Sequence, residues 1–327
     1  RNGRVAGFLF HPRNGQLNGE LPPQFTGKVL NMIEFHGKTL ETFKAGLHTH
    51  STVSDGQFPP QEVIRRYADH GYRALALTDH RKTHPVGCYD SCGMTLIPGI
   101  EIHPQGPRGI PWHLLSLGVP EEFPAEYASG QEAVDAVNAA GGIVFEAHPY
   151  WCGFTAAELM TLKGICGIEV YNTSTRYIGK AYNMQIWDEL LDAGCRCSAL
   201  AVDDMHRSCD LFRGWTVICA ENSEPDSLLD ALRTGSFYSS QGPELYRIRC
   251  EGGIFEAAFS PCVEAILMTS KSNGFCGCVP DEAGPGSPAR EVTEVHFDLR
   301  GCNPQNYLRL QLRDRNGCCA WSMPLYL

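Results

Sequence analysis

The stretch AGLHTHSTVSDGQFPP, residues 45–60, sets His48 and His50 one residue apart at the end of a short apolar run, then Asp55-Gly56, then two prolines. Residues 43–51 (FKAGLHTHS) have strand character. On a strand, residues two apart leave the same face with Cα atoms roughly 6.6 to 7 Å apart, so two imidazoles at this spacing can reach one ion. PPQEVIRRYADHG follows as a helix, with proline at its start, Val63, Ile64 and Tyr67 on one face, and Gly71 as its stop.

The same strand-then-helix rhythm continues outward. YRALALTDH, TLIPGIEIH and WHLLSLGV read as strands, the last reached through the loop PQGPRG; QEAVDAVNAAGG is a helix ended by glycine and IVFEAHPY a strand. TAAELMTLKG, KAYNMQIWDELLDAG and PDSLLDALRTG read as helices around the strands GIEVYN, CSALAVDD and WTVICA. Strands alternating with helices over about 190 residues predict a parallel α/β sheet or barrel. Near Ser240 the pattern changes to period-2 alternation, with Asn316-Gly317 as a hairpin turn and PDEAGPGSPAR (280–290) as a loop between strands. The expected organisation is an N-terminal β extension over 1–43, an α/β barrel over 44–240 and a small, sandwich-like all-β domain over 241–327.

A chain of 327 residues with 43% hydrophobic and 20% charged residues has enough apolar material for such cores, and no apolar run approaches the length of a membrane span. The N-terminal RNGRVAGFLFHPRNG is basic, but Val5–Phe10 is too short for a signal peptide's apolar region; residue 1 is not Met, which leaves room for an upstream segment. The fifteen cysteines are scattered, with pairs such as Cys195/Cys197 and Cys318/Cys319 too close for a C-x-x-C clamp, so reduced thiols and a cytoplasmic location are expected. A formal charge of −10 argues against duplex nucleic acid held by many phosphate contacts.

The remaining histidines fall at telling places. His80 ends LTDH, His148 ends FEAHP, His206 ends DDMH, and His113 opens WHLLSLG; with His48 and His50 these are six of the twelve. Asp55, Glu101 and Asp204 occupy similar positions, at or beside the C-terminal ends of strands, where α/β barrels assemble their sites. Any one such histidine is more often a hydrogen-bonded loop residue, Asp55 suits a turn before Gly56, and Asp204 suits a helix cap. Taken together, the imidazole and carboxylate set suits zinc, manganese or iron.

The ordered series H-T-H with Asp five residues on, T-D-H, G-I-E, a His before an apolar strand, H-P and D-x-H, spanning about residues 44 to 210, resembles the polymerase and histidinol phosphatase (PHP) superfamily of metal-dependent hydrolases. The resemblance implies a distorted (β/α)7 barrel. TGSFYSSQGPEL and the β region after it are similar to the branch in which that barrel carries a C-terminal β domain, a branch that includes carbamate-hydrolase-like members.

Carried over residue by residue, the resemblance implies two or three divalent ions. One is held by His48, His50, Glu101 and Asp204, a second by Glu101, His113 and His148, and a third by Asp55, His80 and His206, with Glu101 bridging. His103 competes with His113, because it lies two residues from Glu101 on the same strand face. Glu101, Asp204 and His206 are then the catalytic residues. Three divalent ions against three carboxylates leave a centre of about +3, which accounts for an anionic substrate in an acidic chain. Further substrate contacts are expected from Arg81, Asn172, Arg176 and Arg207, and His84 is a candidate acid for the leaving group. The expected function is a phosphoesterase that hydrolyses a small phosphate ester by attack of a metal-bound hydroxide. A carbamate, amide or ester hydrolase with the same centre, and a non-catalytic metal- or ligand-binding module, are the alternatives.

Overall fold

The structure, a computed structural model, describes residues 31–282, 284–302 and 304–327; most of the expected N-terminal extension and the RNGRVAGFLFHPRNG stretch lie outside them. β1 (Met32–Phe35) and β2 (Lys38–Gly46) form an antiparallel hairpin whose two turn residues, His36 and Gly37, have φ of 48° and 83°. Two left-handed residues match the turn to the twist of the flanking strands.

From β2 the chain continues through α1 (Pro60–Asp69), β3 (Ala74–Leu77), β4 (Thr95–Ile102), β5 (Leu114–Leu117), α2 (Gly130–Ala139), β6 (Ile143–Glu146), and two one-turn helices, α3 (Pro149–Cys152) and α4 (Ala156–Leu159). Then come β7 (Gly167–Asn172), α5 (Met184–Asp192), β8 (Ser198–Val202), β9 (Trp215–Ala220), α6 (Pro225–Thr234) and β10 (Phe237–Ser240). The helices bury the faces that their sequences mark as apolar, Val63, Ile64 and Tyr67 in α1 and Trp187, Leu190 and Leu191 in α5.

Ladders run β2–β3–β4–β5–β6–β7–β8. Most of these pairs are parallel, as the alternation requires, but β5 is antiparallel to both neighbours. The cause is local: residues 103–113 carry no crossover helix, and a chain that returns directly can pair only antiparallel. β9 lies antiparallel on the free edge of β2 and shares no ladder with β8; β8 is tied instead through Thr216 Oγ1 to the Ala201 carbonyl (3.2 Å) and Ser239 Oγ to the Ala199 carbonyl (2.7 Å). These ladders make a mixed α/β architecture in which the strand–helix alternation is interrupted at β5.

The C-terminal strands are β11 (Leu245–Glu251), β12 (Ile254–Cys262), β13 (Glu264–Met268), β14 (Gly274–Cys278), β15 (Val292–Asp298), β16 (Tyr307–Arg313), β17 (Cys319–Ser322) and β18 (Leu325–Tyr326). The Asn316-Gly317 turn joins β16 to β17 as a longer loop, closed by Gly317 N–H to the Asp314 carbonyl at 3.1 Å. β17 pairs with β10, β10 with β9, and β1 runs parallel to β11, so backbone hydrogen bonding passes from the α/β part into the β region. Ile33 and Phe35 of the first hairpin share an apolar cluster with Leu245, Phe255 and Leu310.

One buried ion pair also joins the two parts. Arg309 on β16 is fully buried and gives two 2.7 Å hydrogen bonds to Asp188 on α5, with its guanidinium carbon 4.8 Å from the centre of the Trp187 ring. The fifteen cysteines form no disulfide, and among the described residues no helix is long and apolar enough to cross a membrane.

Candidate metal centre

Each expected ligand lies where a strand ends, and isolated bridges fix how those ends meet. Thr49 bridges Met205, with His50 N–H donating to the Met205 carbonyl at 3.0 Å; His48 and His50 therefore sit beside Asp204 and His206. His80 bridges Glu101, which sets the end of β3 against the end of β4. Because β5 is antiparallel, His113 at its start comes to the same end of the sheet as Glu101 near the end of β4. His148 and Asp204 hold the left-handed φ values of 31° and 50°, a strained conformation for side chains of this kind that recurs at functional sites.

Glu101 is the hub. Its Oε2 lies 2.6 Å from His80 Nδ1, 3.5 Å from His48 Nε2 and from His103 Nε2, and 3.6 Å from His50 Nε2. Its Oε1 lies 2.8 Å from His113 Nδ1 and 3.6 Å from His148 Nε2. Asp204 Oδ1 is 3.0 Å from His50 Nε2 and 3.3 Å from His48 Nε2, and those two imidazole nitrogens are 3.1 Å apart. Asp55 Oδ1 lies 3.5 Å from both His80 Nε2 and His206 Nε2. The donors fall into overlapping clusters: His48, His50 and Glu101; Glu101, His113 and His148; His50, Asp55, His80 and His206; and His80, Glu101 and His103. Both His103 and His113 are therefore at the centre.

The donor set fits divalent cations. Glu101 Oε2, His80 Nδ1 and His103 Nε2 are buried without a hydrogen-bond partner, because even the 2.6 Å approach of the first two lacks hydrogen-bond geometry. Buried polar atoms are rarely left so unless something else satisfies them. Burial opposes the charge of Glu101, yet the surrounding imidazoles, His48 first and then His103, His113 and His148, hold its carboxyl well below the usual range. Burial likewise opposes the charge of Asp204, and His48, His50 and His206 overcome it. His50 is pushed down to about 4 by burial, helped by His206 and His48 and opposed by Asp204. Ionised carboxylates and neutral imidazoles are the ligand forms that metals require; burial lowers His48, His80 and His148 but the nearby carboxylates raise them above the usual imidazole value, so these three would give up protons to a cation.

Behind this shell stand residues that sequence reasoning missed. Glu169 Oε1 lies 2.6 Å from His48 Nδ1, and its Oε2 accepts from the His148 N–H and from Asn172 Nδ2, each at 2.8 Å. The available signal was one carboxylate inside the otherwise apolar strand GIEVYN. A carboxylate on the far nitrogen of a ligand histidine fixes its ring and tautomer, and losing it costs about 10- to 100-fold in metal affinity or activity. Glu169→Gln is expected to show a loss of that size in metal titrations. Asp79 accepts from Ser51 N–H (2.8 Å), Ser51 Oγ (2.6 Å) and Ser54 N–H (3.0 Å), which folds the loop that carries Asp55. Burial opposes its charge, but hydrogen bonds from His84, Ser51 and Ser54 lower its pKa to about 2. Burial, with Glu101 and Glu169 nearby, raises Glu146, which accepts from His113 N–H at 3.4 Å, well above the usual carboxylate range.

Gly56 has a sharper reason than a turn. A Cβ there would lie 2.5 Å from the backbone carbon and oxygen of His50 and 2.6 Å from Ser51 N, so only glycine lets the loop close on itself. Gly56→Ala is expected to shift Asp55 and lower turnover by about 10- to 100-fold, with the overall fold retained by circular dichroism.

Among the other expected contacts, Asn172 is fully buried and donates to Asp204 Oδ2 at 3.1 Å. Arg176 is already engaged by Asp210 Oδ1 (2.8 Å), the Thr173 carbonyl (2.7 Å) and the Cys209 carbonyl (2.9 Å), so it braces the loop. Arg207 packs 4.5 Å from the Tyr177 ring centre, with Nε 3.5 Å from Asp210 Oδ2, and half of its side chain stays exposed. Arg81, at φ 57°, is half exposed, 3.7 Å from Glu126. His84 is buried between Asp79 Oδ2 (2.6 Å from Nε2) and the Tyr89 hydroxyl (3.1 Å from Nδ1), which corrects its reading as a leaving-group acid: one ring nitrogen is engaged by Asp79 and the other by Tyr89.

Histidines and carboxylates gathered at strand ends in this order form a candidate metal centre of the PHP type. Residues 46–225 match the PHP domain model, and the chain belongs to that family. A phosphoribosyl 1,2-cyclic phosphate 1,2-diphosphodiesterase of Eggerthella lenta is 36% identical over 84 residues, which cover 24% of this chain and 32% of that protein. A 5'-3' exoribonuclease of Haemophilus influenzae is 35% identical over 88 residues, covering 25% of this chain and 31% of that protein. The matches thus span about a third of the length of these curated relatives. Among solved structures, a two-domain protein of Bacteroides vulgatus containing a predicted PHP-like metal-dependent phosphoesterase has a TM-score of 0.51 at 15% identity, covering 88% of this chain and 96% of that one, and so shares the fold.

Proposed function

We propose that this chain is a phosphoesterase that hydrolyses a small phosphate ester at a centre of two or three divalent ions. The observation that carries the reading is Glu101, a buried carboxylate with six imidazoles within 3.6 Å of its oxygens, an arrangement suited to a ligand shared between cations. In this reading His48, His50, Glu101 and Asp204 hold one ion, Glu101, His113 and His148 a second, and Asp55, His80 and His206 a third. Divalent ions supply a water acidic enough to attack near neutral pH and offset the charge that develops on the phosphoryl oxygens.

The chain's own residues orient and hold. Asn172 and Glu169 fix Asp204 and His48 from behind, while Asp79 keeps the Asp55 loop folded. Arg207 and Arg81, exposed beside His206 and His80, are placed to meet the anionic substrate. The β region over 241–327 is proposed as a separate domain on the α/β part.

Turnover of a panel of phosphate monoesters and diesters, short RNA, aryl esters and carbamates, with Mn²⁺ or Zn²⁺ restored, tests the proposal. Phosphate-ester hydrolysis far above that of a His50→Ala control is expected. Turnover confined to esters or carbamates would move the chemistry to carbon, and no turnover above the control would leave a non-catalytic binding module. The RNA arm is needed because one relative is named for acting on RNA, so the acidic composition by itself does not decide against nucleic acid.

A further inference from the structure

Among the described residues, large hydrophobic side chains are exposed at Val53, Tyr150, Trp151, Tyr177, Ile178 and Tyr182, and otherwise only at the final Leu327. The first six all follow the strands that deliver or brace the ligands: Val53 after β2, Tyr150 and Trp151 after β6, and the rest after β7. An apolar rim concentrated on one end of a fold marks a binding surface.

Trp151 is the member in contact with the centre. Its ring meets the His113 imidazole at 5.5 Å between ring centres and 74° between planes, and the His148 imidazole at 5.1 Å and 78°. The residue remains 43% exposed although its ring touches two candidate ligands, one of them, His148, almost wholly buried. A rigid indole so placed, with part of its surface facing solvent, gives a flat group entering the centre something to stack on. It is held there by position as well as by contact: Trp151 N–H donates to the His148 carbonyl at 2.9 Å within α3.

We infer that Trp151 is a specificity-determining residue, and that the alcohol part of the phosphate ester carries a planar aromatic ring that stacks on its indole. This rests on the phosphoesterase reading above and narrows it to aromatic esters, whether nucleoside or aryl. Phosphonates serve as probes because their carbon–phosphorus bond does not hydrolyse, so binding is read without turnover.

Calorimetry on the Mn²⁺-loaded protein would compare propylphosphonate, benzylphosphonate and the 5'-phosphonate analogue of a nucleoside monophosphate. The aromatic probes are expected to bind about tenfold tighter than propylphosphonate, the size of one ring-on-ring contact. In Trp151→Ala the aromatic probes should bind no tighter than propylphosphonate does to the same variant, while Trp151→Phe keeps most of the preference. The ratio of nucleoside to benzyl probe tells which aromatic source the rim favours.

Equal affinity for all three probes in the unaltered protein overturns the inference. So does a Trp151→Ala variant that weakens all three alike, since that describes a residue which only buttresses His113 and His148. Failure of all three probes to bind overturns it together with the phosphoesterase reading. Aromatic preference without hydrolysis of any phosphate ester keeps Trp151 as the residue that stacks on the ring of a bound phosphate compound and overturns the phosphoesterase reading.

Discussion

Glu101→Gln is expected to lower phosphate-ester turnover by about a thousandfold and to strip metal from the purified protein. The substitution keeps shape and volume but removes the one negative charge on which six imidazoles converge. A carboxamide has one acceptor oxygen in place of two, and its NH2 would face imidazole nitrogens such as His113 Nδ1, now 2.8 Å from Oε1. Loss of the several kcal/mol that the ions contribute at the transition state corresponds to about three decades in rate. Elemental analysis and turnover of the variant check this together. A variant that keeps both its metal and its rate would show that Glu101 is no ligand.

Breaking the Arg309–Asp188 pair is expected to destabilise the protein by about 3 to 5 kcal/mol, because the survivor is a charge without its partner in a buried setting. Asp188→Ala leaves the fully buried Arg309 guanidinium, packed against Trp187, without the carboxylate that holds it. Arg309→Met strands Asp188 less severely, because that side chain retains a quarter of its exposure, so the smaller loss is expected there. The double change Asp188→Leu with Arg309→Met, apolar on both sides, should recover most of the stability. Urea unfolding midpoints of the single and double variants provide the comparison. Equal midpoints for the unaltered protein and Asp188→Ala would mean that α5 and β16 are joined by apolar packing alone.

The element pattern was largely open to periodicity. α1, α2, α5 and α6 fall where apolar spacing and terminal glycine or proline place them, since amphipathic spacing is a property of the local chain. Two readings went astray, the TAAELMTLKG helix and His84, and the direction of one strand stayed open. The helix expected across TAAELMTLKG extends only over Ala156–Leu159, before Gly164 at φ 89°. β5 reads as another strand of the alternation, but nothing in WHLLSLG states its direction. His84 resembles a free loop histidine in sequence; only folding reveals Asp79 waiting on one side of its ring and Tyr89 on the other.

Among the site residues, those standing at strand ends in a set order were visible as a series, and the structure draws His48, His50, Asp55, His80, Glu101, His113, His148, Asp204 and His206 into adjoining clusters, Asp204 through its contacts with His48 and His50. Glu169 and Glu146 were not singled out, because a lone carboxylate in an apolar strand acquires meaning only through what lies across the sheet.

By itself the sequence determined which segments become strands and helices, and which of their ends carry nitrogen and oxygen donors, because both depend on spacing along one chain. Tertiary structure alone decided that β5 runs backward, that β1 packs with the C-terminal strands, that Glu169 stands behind His48 and that Trp151 lies against the rings of His113 and His148. Those facts depend on contacts between segments far apart in the chain, such as Glu34 with Arg247, and burial and hydrogen bonding select such contacts only after the chain has closed on itself.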